Sequence, residues 1–208
     1  MVQYFIDGGA FMWPILVSLV FGLGFALERA YSLVESSLDY QTFFTDIPDT
    51  INASGVDSAV ELCNNTRGPV AEIFHAGLSR THRGLAEVEK AIQNAGSLEM
   101  AFLEKNMIWL NTVITVAPMI GFTGTVVGMI DAFDAIKAAN DISPAVVAGG
   151  ISKALLTTAF GLITAMIIQI FQNFFVSRID RLILDMEENS IKLVDQLYDI
   201  DSSKKGKK

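Results

Sequence analysis

The chain has 208 residues, 51% of them apolar, and a formal net charge of -8. This composition favours an integral membrane protein over a soluble domain. The negative balance excludes a nucleic-acid-binding surface, apart from the lysines at the very end of the chain, and the single cysteine, Cys63, excludes an intrachain disulfide.

Three uncharged blocks dominate the sequence and run from Gly8 to Leu27, from Asn106 to Ile130 and from Ala154 to Ser177. Each is close to or above the roughly 20 apolar residues that a helix needs to cross a bilayer. We therefore predict an all-α integral membrane protein with three transmembrane helices. The first block has no basic residue before it and no small-x-small cleavage site after it, so we expect it to be retained rather than removed as a signal peptide.

The basic residues predict the orientation of these spans. No lysine or arginine precedes the first span and only Lys137 lies between the second and third, whereas the others flank the opposite side or line the spans. Because cytoplasmic flanks are enriched in basic residues, the N-terminus is expected on the periplasmic side, with long helices extending into the cytoplasm.

The first two segments are residues 1–31, which hold the N-terminus and first span, and residues 32–105, a cytoplasmic helical region. Pro14 falls in the first turn of the span, where its missing N–H costs little. The second segment has breakers at Pro48, Gly55 and Gly68-Pro69, and helices are predicted from Asp57 to Cys63 and from Val70 to Leu78.

Two histidines without a third ligand predict neither a metal site nor a cofactor.

The second span is placed at residues 106–136. If the helical period continues past Gly96, one helix runs from Leu85 to Ala135, which is roughly 75 Å. A short periplasmic loop is expected at 137–144, with Pro144 starting the next helix, and the third span at 145–177. Residues 178–208 form a heptad-like cytoplasmic helix with a basic tail; its seam is Ile179, Ile183, Met186, Ser190, Leu193, Leu197 and Ile200.

Small residues recur at helical spacing in both long spans. Such stripes either pack helices closely or, where they carry hydroxyls, form the wall of a pore. In the second span the stripe is Ala117, Gly121, Gly124, Thr125 and Gly128; in the third it is Ala154, Thr157, Thr158, Gly161, Thr164 and Ala165.

Neither long block contains Asp, Glu or His, the residues that proton pathways normally use. If protons cross the membrane here, another polypeptide must contribute the carboxylate, while threonine hydroxyls donate and accept hydrogen bonds. The sequence also shows no nucleophile with its base and no glycine-rich phosphate loop, so an enzyme is not predicted.

Two motifs resemble the family of proton-channel subunits that includes ExbB, TolQ and MotA. Gly121-Phe122-Thr123-Gly124-Thr125-Val126-Val127-Gly128-Met129 is similar to the family's Gly-Leu-x-Gly-Thr-Val-x-Gly-Met, and the second motif is Ile151-Ser152-Lys153-Ala154-Leu155-Leu156-Thr157-Thr158-Ala159-Phe160-Gly161-Leu162. The three-span layout is similar to ExbB and TolQ rather than to four-span MotA.

The resemblance implies a pentamer in the bacterial inner membrane whose second and third helices line a central pore. The pore would enclose the single helices of two ExbD- or TolR-like subunits, each carrying an aspartate that faces Thr125 and Thr158, and the complex would drive a TonB-like protein. Thr157 and Thr164 are further candidates for the pathway, and Gly121, Gly124, Gly128, Ala154 and Gly161 for helix packing at the pore.

One position departs from this pattern, because the family usually has glutamate where this chain has Lys153. Lys153 either extends outward to the membrane surface or is a charge partner for an acidic group. The predicted function is a proton-channel subunit that energises TonB-dependent transport. The alternatives are a TolQ-type envelope-maintenance motor, a non-conducting scaffold whose small residues only pack helices and, less favoured, a solute transporter.

Overall fold

A computed structural model describes residues 2–36, 40–66, 68–139 and 144–205. Within these ranges helices are the only regular elements, so the predicted all-α class is confirmed. The helices are α1 Val2–Asp7, α2 Met12–Ser36, α3 Tyr40–Ser54, α4 Val56–Asn65, α5 Pro69–Leu78, α6 Leu85–Leu103, α7 Met107–Ala139 and α8 Pro144–Lys205, with one 3₁₀ turn at Thr81–Arg83.

Three helical segments are long and apolar enough to cross a membrane, which confirms the three predicted spans. They lie within Met12–Val34, Leu85–Ala138 and Val147–Ile200. Pro14 is in the first turn of α2, and Pro144 is the first residue of α8, where neither has to donate an intrahelical hydrogen bond. The helix α7 continues through Lys137, past the predicted end at residue 136, and residues 140–143 of the predicted loop lie outside the described residues.

The expectation of one continuous helix from Leu85 to Ala135 is wrong. The period does continue past Gly96, but α6 ends at Leu103 and a turn at residues 104–106 separates it from α7. Asn106 adopts a φ of 66°, which an α-helix cannot contain. Asparagine is one of the few residues that tolerate this left-handed conformation, and its side-chain amide donates to Glu28 Oε2 at 3.3 Å.

The chain divides into two compact units. The first comprises Met1–Arg29 and Asn106–Phe174, and so contains most of the three uncharged blocks. In its interior Gly22 of α2 allows close approach to α7 and α8, since a Cβ there would lie 2.8 Å from Ile168 Cδ1 and 3.2 Å from Val113 Cγ1. The rings of Phe21, Phe25 and Trp109 pack against one another on the same unit.

The second unit comprises Ala30–Lys105 and Phe175–Lys208. Its core includes Phe43, Phe74 and Val88, and the side chain of Gln196 donates to the carbonyl of Pro48 at 3.0 Å. The predicted α8 seam is largely buried here: Ile179, Met186, Ser190, Leu193 and Leu197 are inside, and Leu182 joins them, while Ile183 and Ile200 are half-buried.

Candidate functional site

The α7 and α8 helices of the first unit cross through the small residues of both motifs. A Cβ on Gly121 would lie 2.8 Å from the Thr157 carbonyl oxygen, and one on Gly161 would lie 2.7 Å from that of Ala117. Gly124 faces the Thr157 side chain, and Gly128 faces Ala154, whose Cβ is 3.2 Å from the built atom. All five predicted packing residues therefore lie at this crossing; their position beside a pore stays a prediction.

At the crossing, the hydroxyls of Thr125 and Thr158 form a hydrogen bond between the two helices. Thr125 Oγ1 also lies 3.1 Å from the Ala154 carbonyl oxygen and 3.3 Å from that of Gly121. Thr158 Oγ1 is 3.2 Å from the same Gly121 oxygen. Both threonines are half-buried, so this hydroxyl pair borders the surface of the unit.

The hydrogen-bonding capacity of the pair follows from counting protons. Each hydroxyl has one proton to donate and two lone pairs to accept with, whereas the surrounding carbonyls only accept. One threonine donates to the other, and the second donates to the Gly121 or Ala154 carbonyl. The remaining lone pairs can accept from a protonated carboxyl group, and rotation of one hydroxyl turns it into a donor for a carboxylate.

The other two predicted pathway threonines occupy a different environment. Thr157 is 1% exposed and donates to the Ala154 carbonyl at 2.7 Å or to the Gly121 carbonyl at 3.2 Å, and Thr164 is 3% exposed. Thr157 precedes Thr158 by one residue and is therefore turned by about 100° towards the helix contact. The structure joins Thr158 with Thr125 and buries the neighbouring threonine.

The acceptors around the pair are main-chain groups that residue types did not predict. The Gly121 carbonyl lies within hydrogen-bonding distance of three threonine hydroxyls, and the Ala154 carbonyl of two. One signal was present in the sequence, because threonine in a helix often bonds to the carbonyl four residues earlier, as Thr125 does to Gly121.

Lys153 points away from this hydroxyl pair, towards the turn between α1 and α2. A Cβ on Gly9 would overlap Lys153 Cε and lie 3.0 Å from its Nζ, so the lysine stem passes directly over that glycine. Gly9 has a φ of 75°, which further favours glycine. Lys153 is half-buried there, and its pairing with an acidic group stays a prediction.

The described residues contain no group of three or more His, Cys, Asp or Glu side chains that could hold a metal ion. Burial raises the pKa of the Cys63 thiol to about 12. The candidate site consists of hydroxyls, main-chain carbonyls and small residues.

Comparison with known proteins shows that residues 65–188 match the pattern of the MotA/TolQ/ExbB proton channel family, a stretch that contains both motifs and the hydroxyl pair. The chain belongs to this family. Members of the MotA/TolQ/ExbB family are proton channels rather than catalysts, and the three apolar helices agree with a multi-pass membrane protein.

Three relatives illustrate the range of the MotA/TolQ/ExbB family around this chain. An ExbB homologue of Methanothermobacter thermautotrophicus is 30% identical over 86% of this chain and 64% of its own length, so the chain spans less than two thirds of that relative. An ExbB-like biopolymer transport protein of Synechocystis is 27% identical over 82% of each chain. The Tol-Pal system protein TolQ of Pseudomonas aeruginosa is 33% identical over 55% of this chain and 54% of its own.

Proposed function

We propose that this chain is the channel-forming subunit of a proton-driven motor in the bacterial inner membrane. It would work with an ExbD- or TolR-like single-span subunit that carries the missing carboxylate. The observation behind this proposal is the hydrogen-bonded pair of Thr125 and Thr158, which joins two spanning helices at the border of the first unit.

The pair suits an acidic partner because the long spans have no acid of their own. An aspartate beside the two hydroxyls would accept a hydrogen bond when charged and donate one when protonated, so both protonation states would be accommodated. Moving one charge through 100 mV supplies roughly 2.3 kcal/mol, which is the energy scale available for work on a partner protein.

We infer the assembly and its load from the resemblance to the family. Five copies would place their α7 and α8 helices around a lumen that encloses two partner helices, with the N-terminus on the periplasmic side. Relatives named for biopolymer transport and for the Tol-Pal system both match this chain, so the load is TonB-dependent uptake or an envelope process. We favour the ExbB type because its similarity to this chain extends over more of the sequence.

Proton flux into liposomes that contain the chain and its acidic partner tests this function. Thr125→Val and Thr158→Val keep the shape of threonine and remove only the hydroxyl, and each should abolish flux driven by a membrane potential while the complex still assembles. Thr123→Val is the matched control, since Thr123 is exposed on the same helix and its hydroxyl donates to the Met119 carbonyl of its own helix.

The non-conducting scaffold makes the opposite prediction. If the threonines only pack helices, the wild-type complex should conduct no protons, and valine at the buried Thr157 should damage assembly most. Flux that persists in both Thr125→Val and Thr158→Val would remove these residues from the pathway. Repeating the measurement with sodium in place of protons identifies the conducted ion.

A further inference from the structure

The face of α7 and α8 that carries the hydroxyl pair has a second group of polar side chains nearer the Asn106 end of the spans. On α8, steps of four and three residues lead from Thr158 through Leu162 and Ala165 to Gln169 and Asn173. Residues so spaced share one flank of a helix. On α7 the corresponding series is Asn111, Ile114, Pro118, Phe122 and Thr125.

The register between the helices places the ends of both series at one level. Three contacts define the register: Gly128 faces Ala154, Gly124 faces Thr157, and Val113 and Ile168 both border Gly22. Lower residue numbers on α7 therefore lie opposite higher residue numbers on α8. Extending this register puts Asn111 opposite residue 170. Gln169 and Asn173 lie within one turn of residue 170 and are hydrogen-bonded to each other, with Gln169 Nε2 donating to Asn173 Oδ1 at 2.8 Å.

A fourth amide at this level, that of Gln172, has an unsatisfied acceptor. The side-chain oxygen of Gln172 is buried, and among the described residues no donor reaches it. Asn111 and Asn173 are exposed on the surface of the unit. Polar groups at membrane depth need hydrogen-bonding partners, because hydrocarbon provides none.

We propose that Asn111, Gln169, Gln172 and Asn173 form an amide layer that holds water and connects the hydroxyl pair with the solution at the Asn106 end of the spans. This inference rests on the proposed function. The layer lies 11 residues along α8 from Thr158, about 16 Å at 1.5 Å per residue, and the apolar Leu162 and Ala165 lie between. Water rather than lipid would occupy the face at this depth.

Thiol labelling tests whether the layer is wet. Gln169→Cys and Asn173→Cys are made in the whole chain and exposed, in open membrane fragments, to a charged maleimide that reacts with thiolate. Ile170→Cys is the matched control, because Ile170 is 70% exposed on the intervening position of the same helix. The wild-type chain is the blank, since its Cys63 is buried and resists ionisation.

We expect the two cysteines of the layer to react about tenfold faster than Ile170→Cys, because a thiolate forms in water and not in hydrocarbon. Equal rates, or no reaction at Gln169→Cys and Asn173→Cys, would overturn the inference.

A flux measurement separates the layer from the proposed function. In liposomes with the acidic partner, the double variant Gln169→Leu Asn173→Leu should assemble and lose about tenfold in proton flux, a barrier higher by about 1.4 kcal/mol. Wild-type flux in this variant, together with no flux in Thr158→Val, would refute the amide layer alone. No flux in the wild-type complex would refute the proposed function, while the labelling result would still decide whether the layer is wet.

Discussion

Replacing Gly161 by alanine should destabilise the crossing of α7 and α8 because the added methyl group has no space. Its Cβ would lie 2.7 Å from the Ala117 carbonyl oxygen and 3.2 Å from Gly121 Cα. Both are main-chain atoms, which cannot rotate away as a side-chain end could. The two helices must therefore move apart along the contact that the small residues create.

The size of this destabilisation is best measured by comparing Gly161→Ala with an alanine substitution at a second glycine. Beyond its chain neighbours and its own helix backbone, no atom of the described residues lies within 4 Å of a Cβ built on Gly24 of α2, so Gly24→Ala adds a methyl group without a clash. Alanine is also the better helix former, by up to about 1 kcal/mol, and this gain is common to both variants. The difference between them then isolates overpacking, for which we expect roughly 1–3 kcal/mol.

Unfolding of the purified protein in mixed micelles, titrated with a denaturing detergent and followed by circular dichroism, measures this difference. Gly161→Ala should unfold at a lower detergent fraction than wild type, and Gly24→Ala at an equal or higher one. If the two variants unfold within about 0.5 kcal/mol of each other, the crossing is not as tight as these distances imply.

Two further predictions concern charged residues. Burial and, to a smaller degree, the nearby Glu72 raise the pKa of Glu99 above its ordinary value of 4.5, so the native state prefers the protonated carboxyl. Glu99→Gln should therefore raise the melting temperature at pH 7, and thermal scans should show that advantage shrinking as the pH falls through the raised pKa and vanishing below 4.5. Lys153→Met should leave proton flux unchanged, since the lysine lies over Gly9 and away from the hydroxyl pair, and a lost flux in an assembled complex would place Lys153 in the pathway.

Local features of the sequence determined the membrane class and the number of spans. A run of about 20 apolar residues identifies a span wherever it occurs, because its transfer into the bilayer depends on its own composition and length. The positions of Pro14 and Pro144 in the first turns of α2 and α8 were equally local, since proline lacks the N–H that later turns need. The motifs also placed the chain in its family.

The family resemblance singled out Thr125 and Thr158, but only the tertiary structure showed that their hydroxyls meet. Thr157 and Thr158 are adjacent in the motif, yet one is buried in the helix contact and the other bonds to Thr125. The choice depends on the rotation of α8 against α7, which is set by the close approach of Gly121 and Gly161 across the chain.

The sequence pattern likewise could not predict the break in the long helix or the direction of the Lys153 side chain. A helical period continues on both sides of Asn106, so hydrophobic spacing alone cannot reveal one residue with a positive φ. Lys153 extends over Gly9, which is 144 positions earlier in the chain. Spacing within a helix orders residues along one element, whereas packing between distant elements determines which face each side chain occupies.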